Sequence, residues 1–259
     1  MDLKLMGKRA LVTGSTAGIG FAVAKQLAAE GAFVYVNGRT EARVQKAVAE
    51  IGENAEGVAA DLGALAGVQK LFARVKDVDI LVNNLGIFEP KPFLQIDDED
   101  WLRLFEVNVL SGIRMTRHFL PRMLECKWGR IVFVSSESAL QIPAEMIHYG
   151  MTKTAQLAVA RGIAESFPAR GVTVNSVLAG PTESEGVDAF IDSLAKQGGV
   201  SRESVVRDFF EHARPTSLLK RFATTEEVAS MIVYLCSESA SATTGSALRV
   251  DGGVVRSIA

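Results

Sequence analysis

The chain has 259 residues, 48% of them hydrophobic and 22% charged, enough to bury a sizeable core within the upper range for one domain. A net charge of −2 excludes the electrostatic footprint of a nucleic-acid or anionic-membrane binder. No run approaches the ~18 apolar residues of a membrane-spanning helix, and Met1 to Gly7 lacks the apolar stretch of a signal peptide, so the cytoplasm is the expected compartment.

Seven short runs, most of them rich in β-branched residues, alternate with helical patterns. They are Arg9 to Val12, Phe33 to Asn37, Gly57 to Ala60, Asp79 to Val82, Ile131 to Val134, Val172 to Val177 and Ser246 to Val250. This alternation predicts an α/β fold in a single domain over residues 1–259. The expected architecture is a doubly wound, Rossmann-like, seven-stranded parallel sheet with helices on both faces. Helix starts are marked by Asp97 ahead of Asp98-Glu99-Asp100, and by Thr224 with Glu227 in capping-box spacing. Cys126 and Cys236 stand far apart without a C-x-x-C partner, and two reduced, buried thiols are expected rather than a disulfide. His118, His148 and His212 show no ligand spacing, so no metal is expected.

The first strand runs into Thr13-Gly14-Ser15-Thr16-Ala17-Gly18-Ile19-Gly20, and a helical pattern continues through Glu30. Glycines 14, 18 and 20 let the backbone approach a pyrophosphate closely. Free N–H groups at the helix start, with the helix dipole, bind its charge. The spacing is G-x-x-x-G-x-G, which by itself also fits a plain strand-to-helix turn. Farther on, Ser136 follows the run Ile131 to Val134, and Tyr149 and Lys153 stand four residues apart. If Tyr149 begins a helix, phenol and ammonium share one face, where the cation favours tyrosinate in a group whose free pKa is about 10. A serine at the end of a neighbouring strand then holds a substrate oxygen beside the phenol. That describes a carbonyl redox site, although the pair alone also fits an exposed helix pair. Strand alternation turns Ser135 and Ser136 to opposite faces, and the spacing to Tyr149 selects Ser136.

Thr13 to Gly20, Asn83-Asn84-Leu85-Gly86, Asn108, Ser136 and Tyr149 with Lys153 together resemble the successive signatures of the single-domain short-chain dehydrogenase/reductase family. The resemblance covers nearly the whole chain. It implies hydride transfer between nicotinamide C4 and a carbonyl or secondary alcohol, with Asn108, Ser136, Tyr149 and Lys153 as catalytic residues. Tyr149 would be the general acid/base. Lys153 would bind the nicotinamide ribose, and Asn108 would hold a water linking that lysine to solvent. It further implies cofactor contacts from Gly14, Ser15, Thr16, Gly18, Ile19 and Gly20, from Asp61 and Leu62 near the adenine, and from Asn84 and Gly86. Tyr149, Lys153, Gly180 and Thr182 complete the set. Asp61 also reads as a helix N-cap. Leu85 replaces the family's alanine, with a reshaped pocket wall as the expected effect. Ala179 replaces a proline in Asn175 to Gly180, which weakens the transfer of Thr182 as a carboxamide contact.

Cofactor choice belongs to the end of the second strand, where an acidic residue would hold the ribose 2′-hydroxyl. Gly38 occupies that position and Arg39 follows, an arrangement that in relatives pairs with the phosphate of NADP. NADP(H) is therefore favoured, with NAD(H) as the alternative. Residues 183–214 suggest two short helices flanking Gly198-Gly199, with Phe190, Phe209 and Phe210 among acidic residues. The expectation there is a substrate lid or a contact with a neighbouring subunit. Thr225 to Cys236 and Gly245 to Gly253 resemble the elements through which relatives form dimers and tetramers, so a homo-oligomer is expected. The substrate is expected to be a small carbonyl or alcohol, with no nucleic acid or membrane as partner. A β-ketoacyl carrier-protein reductase is the runner-up, with Lys127 and Arg170 near the carrier's docking place in such relatives. A catalytically silent dinucleotide-binding sensor is the reading from another class.

Overall fold

The structure, a computed structural model, describes residues 2–258 apart from the side chain of Phe190; Met1 and Ala259, the ends of the expected domain span, lie outside it. Seven strands form: β1 (Arg9–Val12), β2 (Phe33–Gly38), β3 (Ala55–Ala59), β4 (Ile80–Asn83), β5 (Gly129–Ser136), β6 (Val172–Ala179) and β7 (Ala247–Val250). All pair in parallel, in the order β3-β2-β1-β4-β5-β6-β7. Among the described residues nine α-helices connect them: α1 (Gly18–Ala29), α2 (Glu41–Ile51), α3 (Leu65–Arg74), α4 (Asp98–Phe105), α5 (Ser111–Cys126), α6 (Ile147–Ser166), α7 (Glu185–Gly198), α8 (Arg202–Asp208) and α9 (Thr225–Leu235).

Side-chain alternation splits the core in two. Ala10, Val12, Val34, Val36, Ile80, Val82, Val132, Val134, Val177 and Ala179 face α1, α2 and α9. Leu11, Leu81, Ile131, Phe133 and Val174 face α3, α5 and α6. A parallel strand buried on both faces has no polar side, which is why the strands read as continuous apolar runs. The chain builds β1 to β3 outward, then returns to place β4 on the other side of β1. The resulting switch point between β1 and β4 opens a crevice at the carboxyl ends of the strands.

Local chemistry fixes the helix starts. The Asp97 carboxylate accepts from the Asp100 N–H at 2.9 Å, and Thr224 and Glu227 complete the capping box reciprocally. Asp61 is not an N-cap: α3 begins after Ala64, and the Asp61 carboxylate instead accepts from Gly63 N–H at 3.0 Å, closing the turn after β3. Cys236 is buried, which pushes its thiol up to about 12, but Cys126, at the polar end of α5, is exposed. No helix among the described residues is long and apolar enough to cross a membrane, and no cluster of His, Cys, Asp or Glu there has the makings of a metal site.

Candidate active site

The glycine loop between β1 and α1 is shaped by contacts that leave no room for side chains. Gly14 and Gly18 have φ of 61° and 57°, the left-handed region that favours glycine. A Cβ on Gly20 would stand 2.4 Å from Asn84 Nδ2 and 2.6 Å from the Gly14 carbonyl oxygen. That asparagine is the loop's clamp, donating to the carbonyls of Thr13 at 2.9 Å and Gly14 at 3.0 Å. The Ser15 hydroxyl donates to Val12 O and accepts from Asn37 N–H, so its side chain serves the loop itself. No side chain caps the start of α1, which leaves its first N–H groups facing the crevice. The bare helix start and side-chain-free cradle fit the pyrophosphate of a dinucleotide.

Opposite the loop, β5 delivers Ser136 to the strand end and α6 carries Tyr149 and Lys153 on its first two turns. The Lys153 ammonium lies 5.6 Å from the centre of the Tyr149 ring, as the i,i+4 spacing requires. Of the two adjacent serines, Ser135 spends its hydroxyl on the Lys153 carbonyl at 2.9 Å, and Ser136 lines the cleft with Tyr149 and Lys153. These residues share one cleft of about 550 Å³ with Ile19, Gly20, Asn84, Gly86, Gly180 and Thr182. Gly86 borders the lysine: a Cβ there would come into ordinary contact with Lys153 Nζ at 3.4 Å and Asn108 Oδ1 at 3.5 Å. The remaining walls are largely apolar and include Phe88, Met146, Val187, Phe209 and Phe222. Ile142 lies outside the cleft lining and packs toward Gly150 instead.

Electrostatics inside the chain depart from the sequence expectation. Burial raises the Tyr149 phenol above its usual range, and the Glu137 carboxylate adds to the rise. The Ser136 hydroxyl and the Arg214 charge oppose it. The Lys153 ammonium, buried in turn, is pushed down to about 8, with Glu137 pulling the other way. Lys153 therefore does not by itself make Tyr149 acidic, because its own charge is penalised by the same dry surroundings.

Behind the lysine lies a second layer. Residues Glu106–Leu110 form a π-helical turn between α4 and α5, and Asn108 sits in it, 1% exposed. Its side chain accepts from Ile87 N–H at 2.8 Å and donates to Ile87 O at 2.9 Å and Thr152 Oγ1 at 3.0 Å. Its carbonyl accepts from Gln156 Nε2 at 2.6 Å, while Gln156 Oε1 accepts from Lys153 Nζ at 3.3 Å. Lys153 also donates to Val134 O at 2.9 Å. Gln156 thus links the Asn108 carbonyl to the Lys153 ammonium.

Not every expected residue reaches the cleft. Gly14, Ser15, Thr16 and Gly18 form the loop behind its lining, and Asn108 acts one layer back. Arg39 and Asp61 are exposed after the ends of β2 and β3, farther along the same edge of the sheet. The Leu62 side chain is 1% exposed and belongs to the core. Leu85 also packs toward the core and does not line the cleft, so the expected change in the pocket wall is not there. The Thr182 hydroxyl donates to Gly180 O at 2.9 Å. Of the aromatic residues expected over the cleft, Phe209 lines it, Phe210 is buried against Phe209 and Phe222, and the Phe190 side chain lies outside the described residues. Sequence reading missed three residues: Glu137 beside Ser136, Gln156 on the lysine's helix, and Arg214. A carboxylate ending a buried strand and a glutamine at i+3 from Lys153 were available signals; Arg214, 77 positions from its partner Glu137, had no local one.

A parallel sheet with its crevice at the switch point, a capless helix start and a tyrosine–lysine–serine wall defines a dinucleotide-dependent oxidoreductase. The family model described as enoyl-(acyl carrier protein) reductase matches residues 14–255. "Uncharacterized oxidoreductase YvaG" of Bacillus subtilis is 46% identical over all of both chains. The 3-oxoacyl-[acyl-carrier-protein] reductase FabG of Aquifex aeolicus is 34% identical over 98% of this chain and 100% of that one. L-sorbose reductase from Gluconobacter frateurii, solved with NADPH and L-sorbose, superposes with a TM-score of 0.93 at 29% identity over the whole of both chains. The chain belongs to the short-chain dehydrogenase/reductase family of NAD(P)-dependent oxidoreductases.

Proposed function

We propose that this protein interconverts a small ketone or aldehyde and its alcohol, with NADP(H) as preferred cofactor. The observation that carries the reading is the convergence of Ser136, Tyr149 and Lys153 on one wall of a cleft whose other wall is the glycine loop. Bound nicotinamide supplies or accepts the hydride. Tyr149 exchanges the proton at the substrate oxygen, and Ser136 holds that oxygen beside the phenol. Lys153 presents its ammonium to the cofactor's ribose side of the cleft, held from behind by Val134 O and Gln156. Asn108 secures Ile87 and Thr152, and so the join between the strand β4 loop and α6. Apolar walls from Phe88, Met146 and Phe209 keep water from the reacting centre.

Two observations support NADP over NAD. Arg39 is exposed and has no ion pair or hydrogen bond among the described residues, leaving its guanidinium free for a phosphate. A Cβ on Gly38 would stand 2.4 Å from Thr16 Cγ2, so Thr16 fills the place an acidic side chain would need.

The segment from α7 through Arg214 is proposed as the substrate lid. Ser184 caps α7, Gly199 turns the chain in the left-handed region, and Ser201 caps α8, so the segment is a self-contained helical hairpin whose inner face supplies Val187, Ile191 and Phe209 to the cleft. Assembly into a dimer or tetramer is supported by β7, an unpaired sheet edge, and by the exposed Phe93, Leu94 and Leu102 around α4. The cytoplasm stays the proposed compartment. Lys127 and Arg170 precede the starts of β5 and β6, at the end of the sheet opposite the cleft, so the carrier-protein reading draws no support from them within one chain. The test is a panel of carbonyls and alcohols, including a β-ketoacyl thioester free and on its carrier, followed by absorbance of reduced nicotinamide with both cofactors. Turnover of small carbonyls supports the reading, and a gain confined to the carrier-bound thioester would replace it with the reductase. Cofactor binding without any turnover would leave the sensor.

A further inference from the structure

Glu137 directly follows Ser136 and opens a 3₁₀ turn at the end of β5. Its carboxylate, 5% exposed, is an expensive group to place beside a buried phenol unless its charge is matched. One oxygen accepts from Ser136 Oγ at 2.5 Å, and the other from Arg214 Nε at 3.0 Å. Arg214 is 7% exposed, follows the π-helical turn Phe209–Ala213, and reaches on to Glu145 at 3.1 Å. Its guanidinium carbon lies 5.7 Å from the centre of the Phe209 ring. A chain of groups therefore leads from the phenol through Ser136 and Glu137 to an arginine carried by the proposed lid. With its hydrogen turned to Glu137, Ser136 Oγ offers lone pairs to the cleft; rotating that hydrogen away offers a donor instead.

We propose that Glu137 and Arg214 are positioning residues for this reaction, a buried pair that orients the Ser136 hydroxyl and sets the pH at which Tyr149 gives up its proton. This rests on the reading of Ser136 and Tyr149 given above. The two charges act on the phenol in opposite senses, the carboxylate holding the proton on and the guanidinium drawing it off. The other charged groups facing Tyr149 are Lys153 on its own helix, Glu145 from the turn before α6 and Asp208 from the end of α8. None of these contacts Ser136. Because Arg214 ends the 185–213 hairpin, unseating that hairpin removes the guanidinium and leaves Glu137 unmatched beside the phenol. Closure and proton transfer are coupled by one ion pair.

The test reads the phenol directly and needs no substrate. The protein is labelled with 3,5-difluorotyrosine, whose fluorines bring phenol ionisation to lower pH, and followed by fluorine NMR across pH. It has three tyrosines, and Tyr149→Phe assigns the signal. Glu137→Gln should lower the Tyr149 midpoint by about one unit and Arg214→Met should raise it by about one, as expected for single charges of opposite sign acting on one buried phenol. Arg214→Lys should stay near wild type, and Glu137→Gln with Arg214→Met should fall between the singles. Where a single variant fails to fold, the double variant and Arg214→Lys carry the comparison. Shifts of the same sign in both singles, or none, would overturn the proposal, since a merely loosened site cannot produce opposite signs. Retained turnover in Tyr149→Phe would instead overturn the underlying reading, so the two failures are distinguishable.

Discussion

Converting the proposed NADP preference to NAD should require three substitutions rather than two. The obvious exchange, Gly38→Asp with Arg39→Ile, supplies an acceptor for a ribose 2′-hydroxyl and removes the phosphate partner. Yet the new Cβ would stand 2.4 Å from Thr16 Cγ2 and 3.2 Å from Val44 Cγ2. Thr16 is β-branched: one rotation brings Oγ1 into that space and the other moves the methyl to the present Oγ1 position, only 3.3 Å from the new Cβ. Overpacking of this kind costs about 1–3 kcal/mol. Losing a charge-assisted Arg39–phosphate bond costs about 1.5–3 kcal/mol, roughly 10- to 150-fold in NADPH affinity. The double variant should therefore lose NADPH without gaining NADH, because the aspartate is strained out of place. Adding Thr16→Ala should release it and tighten NADH by about tenfold relative to the double variant. Titration of reduced-nicotinamide fluorescence gives both dissociation constants. A wild type that binds NADH more tightly than NADPH, or a double variant that already gains NADH, would refute the argument.

Gln156→Leu removes an acceptor from Lys153 and leaves the Asn108 carbonyl without its partner, so it should cost about 1–3 kcal/mol of stability and lower kcat, read by thermal melting and steady-state kinetics. Unchanged melting and kcat would mean the bridge does nothing. His148 is fully buried with neither ring nitrogen hydrogen-bonded, and burial holds its pKa below the usual histidine value. The unfolded chain thus takes up the proton first as pH falls, and stability should drop below about pH 6.5 with a slope approaching 1.4 kcal/mol per unit. His118, stacked on Phe72 and likewise held low, adds to the slope. Melting temperatures between pH 7.5 and 5.5 check this, and His148→Leu should flatten the curve; an equally steep variant would show that other groups set it. Residues 185–213 should exchange amide hydrogen fastest among the buried cleft elements and slow when NADPH and substrate bind. Protection already high and unchanged by ligand would make the hairpin a fixed subunit contact. Light scattering should give a multiple of 27.8 kDa, and a single-chain mass would remove the assembly proposal.

Much of this was legible in the chain because buried parallel strands write themselves as apolar runs. All seven formed, six of them at or within a residue or two of the expected runs, with β5 and β6 extended by pairing partners such as Gly129↔Val172 and Ser136↔Ala179, which no local pattern encodes. The edge strand β3 shifted to Ala55–Ala59, since Glu56 and Gly57 carry little strand preference and are held by pairing to β2. Spacing put Ser136 at a strand end and Tyr149 and Lys153 on one helix face, and the structure has them there, because a strand end and an i,i+4 pair are local geometry. What spacing could not yield was their electrostatics. The rise in the Tyr149 phenol depends on burial and on Glu137 and Arg214, joined only by the fold. The π-helical turn at Asn108 was equally hidden: an ordinary helical pattern runs through Glu106 to Leu110, and the Asn108 carbonyl is recognisable as an acceptor only once Gln156 is seen to reach it.

Tyr149→Phe asks whether Tyr149 moves the proton in the proposed hydride-transfer reaction. The substitution removes one oxygen while the ring can keep its edge contact with Phe88, whose centre lies 6.2 Å away. With a carbonyl compound that the wild type reduces, kcat followed by NADPH absorbance should fall by a factor on the order of 10²–10⁴, the range for a lost general acid. The NADPH dissociation constant should stay within a few-fold, because the glycine loop and Lys153 remain. Near-normal turnover in this variant, with cofactor binding intact, would contradict the account.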